Sequence, residues 1–187
     1  SIACWEWKMG ESKAGKFSGA RCKISSWIRI DSRSQPMKAK AASNYANAAL
    51  ARVEALTDGY DEAIMLNYQG KVSEGSAENI FIIKKDEIIT PPVTSGILEG
   101  ITRDSVIKMI ESEGNNIVEK EIDREDLYVA DEVFMTGTAA EVKSVTEIDN
   151  IKIGNGKIGN KTSGLQRSFM DIVMGRNEQF ISWLKLI

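Results

Sequence analysis

Two lysines and a tyrosine stand close together in one short segment of this 187-residue chain. Lys38 and Lys40 lie among small residues, and Tyr45 follows five positions after Lys40. A lysine is by default a solvated charge, but burial lowers the pKa of the amine and makes it a nucleophile. The small residues around Lys40 leave room for a planar partner, and the Tyr45 phenol is near enough to hydrogen-bond an oxygen on that partner.

A carboxylate among small residues forms the second candidate group. Glu74 lies in the stretch Val72-Ser-Glu-Gly-Ser-Ala-Glu-Asn79, at the end of a predicted strand. A flat ring can approach closely there, and the carboxylate can then pair with a protonated ring nitrogen. The alternative is that Glu74 is one more exposed carboxylate at a turn.

Two further segments have the character of anion-binding turns. In Leu98-Glu-Gly100-Ile101-Thr102 a loop becomes a helix, where free N–H groups and the helix dipole attract anions. Thr102 adds a hydroxyl donor, although it could equally be a plain helix cap. The segment Thr136-Gly-Thr138-Ala139-Ala follows a strand and offers a second nest of N–H and hydroxyl groups. An amine, a ring-facing carboxylate and two anion sites are the parts that hold pyridoxal phosphate.

Composition narrows the classes of chemistry. The chain has no histidine, which excludes Ser-His-Asp and Cys-His catalysis and imidazole metal sites, so we expect no metal. A cofactor that serves as its own electron sink fits that absence. The formal net charge of −3 gives no reason to expect nucleic acid or anionic lipid as a partner. No apolar run approaches the roughly 20 residues that cross a bilayer.

Hydrophobic periodicity and turn signals predict an α+β domain in which a mixed or antiparallel sheet, or a barrel-like sheet, packs with helices. Apolar residues at helical spacing, among them Leu50, Val53 and Leu56, mark a first helix that ends at Asp58-Gly59. The remaining predicted elements are strands at 21–30, 62–67, 71–73, 79–83, 87–90, 116–122, 132–136 and around 149–150, and helices at 101–113, 124–129 and 162–175. Phe180 and Trp183 are expected to dock the tail on the body.

Several stretches, in order and at matching spacing, resemble the fold-type-IV pyridoxal-phosphate enzymes, and most closely the branched-chain amino acid aminotransferases. They include Ser25-Ser-Trp-Ile-Arg29, Lys40-Ala-Ala-Ser-Asn-Tyr45, Ser73-Glu-Gly-Ser-Ala-Glu-Asn79, Thr90-Pro-Pro92 and Asp131-Glu-Val-Phe-Met-Thr-Gly-Thr-Ala-Ala-Glu141. As a set they are highly specific, although each alone is not. The resemblance covers the chain from about residue 21 onward and implies the fold of the C-terminal domain of those enzymes.

The resemblance also implies roles for individual residues. Lys40 is similar to the lysine that bonds to pyridoxal phosphate and then shuttles a proton, with Lys38 as the next candidate. Tyr45 is similar to the phenol on the ring oxygen, and Glu74 to the carboxylate on the ring nitrogen. The remaining cofactor contacts would come from Leu98 beside the ring and from Gly100, Ile101, Thr102 and Thr138 at the phosphate. Thr138 and Ala139 would also bind the substrate, Ala139 through its backbone.

The implied function is amino transfer between a branched-chain L-amino acid and 2-oxoglutarate through a pyridoxal phosphate aldimine, in branched-chain amino acid biosynthesis. Residues 21–187 would be the cofactor-binding domain and residues 1–20 the remnant of an interdomain linker, with the family's N-terminal domain absent. The resemblance implies a cytoplasmic homodimer. The alternatives are a D-amino acid transaminase or aminodeoxychorismate lyase of the same fold, or an inactive fragment that serves only in binding or assembly.

Overall fold

The computed structural model describes Cys4 and residues 18–185 of the chain. The predicted linker remnant at 1–20 therefore lies almost wholly outside the described residues. Within them, no helix combines the length and the apolar character that a membrane crossing requires.

The centre of the described structure is a single mixed sheet. Its strands are β1 (Ala20–Ile24), β2 (Glu62–Leu66), β3 (Val72–Gly75), β4 (Asn79–Lys84), β5 (Glu87–Thr90), β6 (Ile117–Glu119), β7 (Glu132–Gly137), β8 (Glu141–Ile148) and β9 (Ile151–Lys152). The spatial order is β3-β2-β1-β8-β7-β4-β5-β6, with β9 beside β8. The pairs β1–β2, β1–β8 and β5–β6 are parallel, and all the other pairs of neighbouring strands are antiparallel.

The sheet curls until its two ends approach each other. At one end the Val72 N–H, in β3, donates to the Ile122 carbonyl at 2.9 Å, just beyond β6 at the other end. A bridge between Lys71 and Asp123 continues this contact. Buried side chains from many strands, including Ile64, Val133 and Met135, fill the interior with Ile122. The predicted barrel-like sheet is confirmed.

Four helices surround the sheet in the described part of the chain: α1 (Tyr45–Thr57), α2 (Ile101–Ser112), α3 (Arg124–Tyr128) and α4 (Asn160–Val173). α2 and α4 cover one face, where Phe81 and Phe134 stack with ring centroids 4.7 Å apart. α1 packs on β2 through a small cluster that contains Ala48, Ala51, Ala55 and Met65. These contacts confirm the predicted α+β class, with helices packed on a mixed sheet.

Three local predictions need correction. The strand predicted at 21–30 stops at Ile24, because the Ser25 hydroxyl and the Ser26 N–H turn to the Glu54 carboxylate of α1. Val173 in α4 is exposed rather than buried with the rest of its predicted face. Phe180 is buried as predicted, but 41% of Trp183 stays exposed and it contacts Phe180 at 4.4 Å between ring centroids.

Candidate active site

One cleft of about 280 Å³ gathers most of the residues that the sequence predicts to be functional. It lies between the segment before α1, the β3–β4 turn, the start of α2 and the β7–β8 turn. Its size is close to the lower end of the usual range for small-molecule sites. The predicted residues that line it are Lys40, Tyr45, Glu74, Leu98, Gly100, Ile101, Thr102 and Thr138. Lys38 lines it as well.

Glu74 is the most constrained side chain of this cleft. β3 carries it into the interior, where only 5% of the residue is exposed. One carboxylate oxygen, Oε2, accepts hydrogen bonds from the Asn79 amide and from the Leu98 N–H, both at 3.0 Å. The other oxygen, Oε1, lies 2.5 Å from the Nη2 atom of Arg29. A carboxylate has about four lone-pair sites, so these three contacts leave one for a further donor.

The sequence reasoning gave Arg29 no role, yet it supplies the positive charge next to Glu74. Arg29 is itself buried, and its backbone N–H bonds to the Leu66 carbonyl at the end of β2. Burial of the Glu74 carboxylate raises its pKa to about 7, even though the Arg29 guanidinium and the Leu98 N–H act to lower it. The sequence signal for this role of Arg29 was weak, because a single arginine after an apolar run is normally interpreted as an exposed charge.

Replacing Arg29 by methionine at pH 8 is expected to lower the free energy of unfolding by about 3–5 kcal/mol, because the Glu74 carboxylate then stays buried without its partner. The Glu74 pKa of about 7 in the folded chain lies above its ordinary value of 4.5. As the pH rises through 7 the folded chain must ionise this buried group, so the stability that its protonated form provides is lost. At pH 5 Glu74 is protonated, so the substitution should lower the free energy of unfolding by less than it does at pH 8. Urea unfolding at both pH values measures the difference.

The matched control is Arg33→Met. Arg33 pairs with Asp31 on the surface, with 75% of the Arg33 side chain exposed, so little change in stability is expected. Two results would contradict a buried ion pair between Arg29 and Glu74: equal losses of stability in the two variants, or a loss of stability in Arg29→Met that does not vary with pH.

Asn79 joins three parts of the cleft, and sequence reasoning treated it only as part of a matching stretch. Its amide donates to Glu74 and, at 2.8 Å, to the Leu98 carbonyl. A Cβ on Gly100 would lie 2.1 Å from the Asn79 Oδ1 atom. Gly100 has an ordinary backbone φ of −71°, so glycine is needed there for space and not for its conformational freedom.

The start of α2 forms the anion-binding side of the cleft. Gly100 is the N-terminal boundary residue of this 12-residue helix, and no side chain caps the first N–H groups. These groups have no partner inside the helix, and the helix dipole makes their surroundings positive. Thr102 is a buried residue of the first turn and not the helix cap, which had been the alternative. Thr138 lines the same cleft from the β7–β8 turn.

Lys40 lies at the mouth of the cleft, in the segment that enters the short 3-10 turn Ala42–Asn44 before α1. The residue is exposed, so the burial that the sequence reasoning required of a nucleophilic lysine is not found. Lys38 is also exposed, and its ammonium lies 3.6 Å from the Glu99 carboxylate. Among the described residues Lys40 has no such ion pair, which leaves its amine available to a ligand in the cleft.

Ala139 is the one predicted site residue that does not line this cleft. It lines a neighbouring cavity of about 460 Å³, which shares Ser76, Ala77 and Glu78 with the cleft. Glu78 was not singled out by the sequence reasoning. Its carboxylate accepts a hydrogen bond from the Ala77 N–H, and burial raises its pKa.

The residues of the cleft fit pyridoxal phosphate on observations of the structure itself. Two buried hydroxyls of cleft-lining residues, on Ser76 and Thr136, have no hydrogen-bond partner among the described residues. Unpartnered buried hydroxyls are costly and are usually satisfied by a ligand or by water. The cleft also combines an available amine, a buried carboxylate and an uncapped helix start. In the described part of the chain, no group of three or more His, Cys, Asp or Glu residues is arranged to hold a metal ion.

Comparison with known proteins relates most of the chain to one family. The family model described as amino-transferase class IV matches residues 3–148. A probable branched-chain-amino-acid aminotransferase of Aquifex aeolicus (strain VF5) is 54% identical over 167 residues, which are 89% of this chain and 54% of that protein.

The fold is shared with solved structures of branched-chain aminotransferases, and two of them show how close the match is. A branched-chain aminotransferase from the archaeon Thermoproteus uzoniensis, crystallised with norvaline, has a TM-score of 0.88 and 45% identity, over 91% of this chain and 56% of that one. A branched-chain amino acid aminotransferase from Thermobaculum terrenum, in its PLP-bound holo-form, has a TM-score of 0.89 and 40% identity, over 94% of this chain and 58% of that one. The chain thus spans between 54% and 58% of the length of these three relatives.

Proposed function

The chain belongs to the class-IV aminotransferases, and on that premise we propose that it is the cofactor-binding part of a branched-chain amino acid aminotransferase. The reaction is transfer of an amino group between a branched-chain L-amino acid and 2-oxoglutarate, with pyridoxal phosphate as cofactor. The observation that carries the proposal is that Lys40 and Glu74 line a single cleft together with the uncapped start of α2. The names of the relatives support the substrate class.

The reactive part of the cleft is built from three side chains. Pyridoxal phosphate, when bound, supplies an aldehyde for the amine of Lys40 and an electron-accepting ring. Lys40 would hold the cofactor through that aldehyde, and its free amine would move a proton between the substrate Cα and the cofactor. The Tyr45 phenol, which lines the cleft, would hydrogen-bond the ring oxygen. Glu74 is held by Arg29, Asn79 and the Leu98 N–H. Its remaining lone pair would accept a hydrogen bond from the protonated ring nitrogen.

The other side of the cleft holds the anions. The start of α2 would hold the phosphate, since Gly100, Ile101 and Thr102 offer N–H groups and a hydroxyl there, and Thr138 would add a donor from the β7–β8 turn. Leu98 would pack beside the ring. Thr138 lines the cleft and Ala139 lines the neighbouring cavity. The Thr138 side chain and the Ala139 backbone would bind the substrate carboxylate at the boundary between the two.

In this proposal residues 21–187 form the cofactor-binding domain, and residues 1–20 are a remnant of an interdomain linker. The protein acts as a cytoplasmic homodimer in branched-chain amino acid biosynthesis. A second domain of the parent protein supplies the remainder of the substrate pocket.

The experiment that tests the function is a substrate comparison on the protein loaded with pyridoxal phosphate. Conversion of the cofactor to its amino form is followed by absorbance with L-leucine, L-valine, D-alanine or aminodeoxychorismate as the only substrate. We expect conversion with the two branched-chain L-amino acids alone. Conversion by D-alanine, or release of pyruvate from aminodeoxychorismate, would assign the other enzymes of this fold. A bound, reducible cofactor that no substrate converts would assign a binding or assembly role.

A further inference from the structure

Arg103 is a buried positive charge in the first turn of α2. Only 6% of the residue is exposed, and it does not line the cleft, although its neighbours Ile101 and Thr102 do. This placement is unfavourable in two respects. The free N–H groups at the start of a helix already carry partial positive charge, and a buried guanidinium loses its hydration. Stability of the helix alone would favour an acidic or uncharged residue here, so Arg103 points to another requirement.

The Arg103 guanidinium is held by polar groups of the neighbouring strands. Its Nε donates to the Thr90 hydroxyl at 3.3 Å, and its Nη2 donates to the Pro91 carbonyl at 3.1 Å, at the end of β5. The same Nη2 lies 2.9 Å from the Glu119 carboxylate of β6. The buried Thr90 hydroxyl in turn donates to the Ile80 carbonyl of β4 at 2.9 Å. These contacts fix the first turn of α2 to three strands of the sheet.

The positive charge of Arg103 is only partly neutralised by its partner. The Glu119 side chain is 46% exposed, whereas the Arg103 side chain is 7% exposed. Water screens the exposed carboxylate, while the buried guanidinium acts through surroundings of lower dielectric constant. Burial raises the pKa of Glu74 in the cleft, and the charge of Arg103 acts, after that of Arg29, to lower it. The charge of Arg103 is therefore felt inside the cleft.

We infer that Arg103 is a positioning residue for the phosphate end of the cleft, an inference that rests on the proposed function. Its contacts fix the turn whose N–H groups would receive the phosphate, and its buried charge strengthens their attraction for an anion. A phosphate monoester carries about 1.5 to 2 negative charges at pH 7, which accounts for a cation where a helix alone disfavours one. Arg103 acts through the turn and through its charge, since it does not line the cleft.

The test compares two ligands, with and without a phosphate group, on the cofactor-free chain. Pyridoxal has the aldehyde and ring of pyridoxal phosphate but lacks the phosphate, so a change confined to the phosphate end affects only one of them. Arg103→Met removes the charge and the donors but keeps a long side chain. We expect the dissociation constant of pyridoxal phosphate to rise by roughly 10-fold or more, and that of pyridoxal by less than about 2-fold, because only the phosphate interacts strongly with the lost charge. Absorbance titration measures both constants.

The matched control is Lys108→Met on the same helix. Lys108 is exposed and pairs with Asp104 at 2.7 Å, so its replacement should leave both dissociation constants nearly unchanged. Arg103→Lys is a second variant, and it carries the test if circular dichroism shows that Arg103→Met does not fold. It keeps the charge but cannot form the fork of contacts, so we expect pyridoxal phosphate to bind roughly 3-fold more weakly, with pyridoxal unchanged.

Three results would overturn the inference: equal weakening of both ligands by the Arg103 variants, unchanged binding of both, or the same selective weakening by Lys108→Met. These results are distinguished from failure of the proposed function by the wild type. A wild type that binds neither ligand would overturn both proposals. A wild type that binds pyridoxal phosphate more tightly than pyridoxal, beside Arg103 variants that do so to the same degree, would overturn only the role of Arg103.

Discussion

Replacing Lys40 by alanine is expected to abolish both the covalent attachment of pyridoxal phosphate and amino transfer by the protein. In the proposed site the Lys40 amine would both hold the cofactor aldehyde and move the substrate proton, so one substitution removes both actions. No other amine of the cleft lies in the same position, since Lys38 is directed to Glu99. The absorbance spectrum of the loaded protein before and after borohydride measures attachment, and substrate conversion measures transfer.

The control for this experiment is Lys38→Ala. Lys38 lines the same cleft and is similarly exposed, so general loss of positive charge affects both variants alike. We expect Lys38→Ala to retain the borohydride-sensitive band and Lys40→Ala to lose it. The opposite pattern would make Lys38 the attachment site, and retention of the band by both variants would remove the lysines of this segment from the account.

Glu74→Gln is the second change with a large expected effect. Glutamine occupies nearly the same volume but has no negative charge, so it no longer keeps the ring nitrogen protonated. A hydrogen bond to a charged group contributes about 1.5–3 kcal/mol. If that contribution is present only while the substrate loses its proton, the rate of amino transfer falls by roughly 10- to 100-fold. Rapid mixing with L-leucine measures this rate, while the borohydride-sensitive band shows that the cofactor stays bound.

Glu99→Gln is the matched control for this second prediction. Glu99 also lines the cleft but is exposed and pairs with Lys38 at the surface. Its replacement should leave the rate nearly unchanged. A Glu74→Gln protein that reacts as fast as the wild type would remove Glu74 from the ring-nitrogen role, whatever Glu99→Gln does.

The helices and most strands could be predicted from the sequence because each depends on a local pattern. α1 ends at Thr57, beside the predicted Asp58-Gly59 stop, and α2 begins at Ile101 as the loop-to-helix signal indicated. The cleft could be predicted because its glycines, small residues and hydroxyls occur in short motifs. Such motifs indicate where backbone N–H groups are free, and the freedom of an N–H group depends mainly on the local backbone conformation.

What could not be predicted depends on contacts between distant residues. Arg29 and Glu74 are 45 positions apart in the sequence, and their side chains come within 2.5 Å because Arg29 bonds to the end of β2 and β2 pairs with β3, which carries Glu74. Leu50, Val53 and Leu56 lie on an exposed side of α1, which the periodicity that predicted the helix did not show. Alternating alanine and larger residues do not reveal which side packs on β2, and the alanines are buried because the helix lies close to the sheet.

The most direct test of the central claim is to locate the bound cofactor on the chain. The protein is loaded with one equivalent of pyridoxal phosphate, reduced with borohydride, digested and mapped by mass spectrometry. If Lys40 holds the cofactor, the phosphopyridoxyl group is found on Lys40, at close to one per chain. A label concentrated on another lysine, or spread among surface lysines at low occupancy, would contradict it.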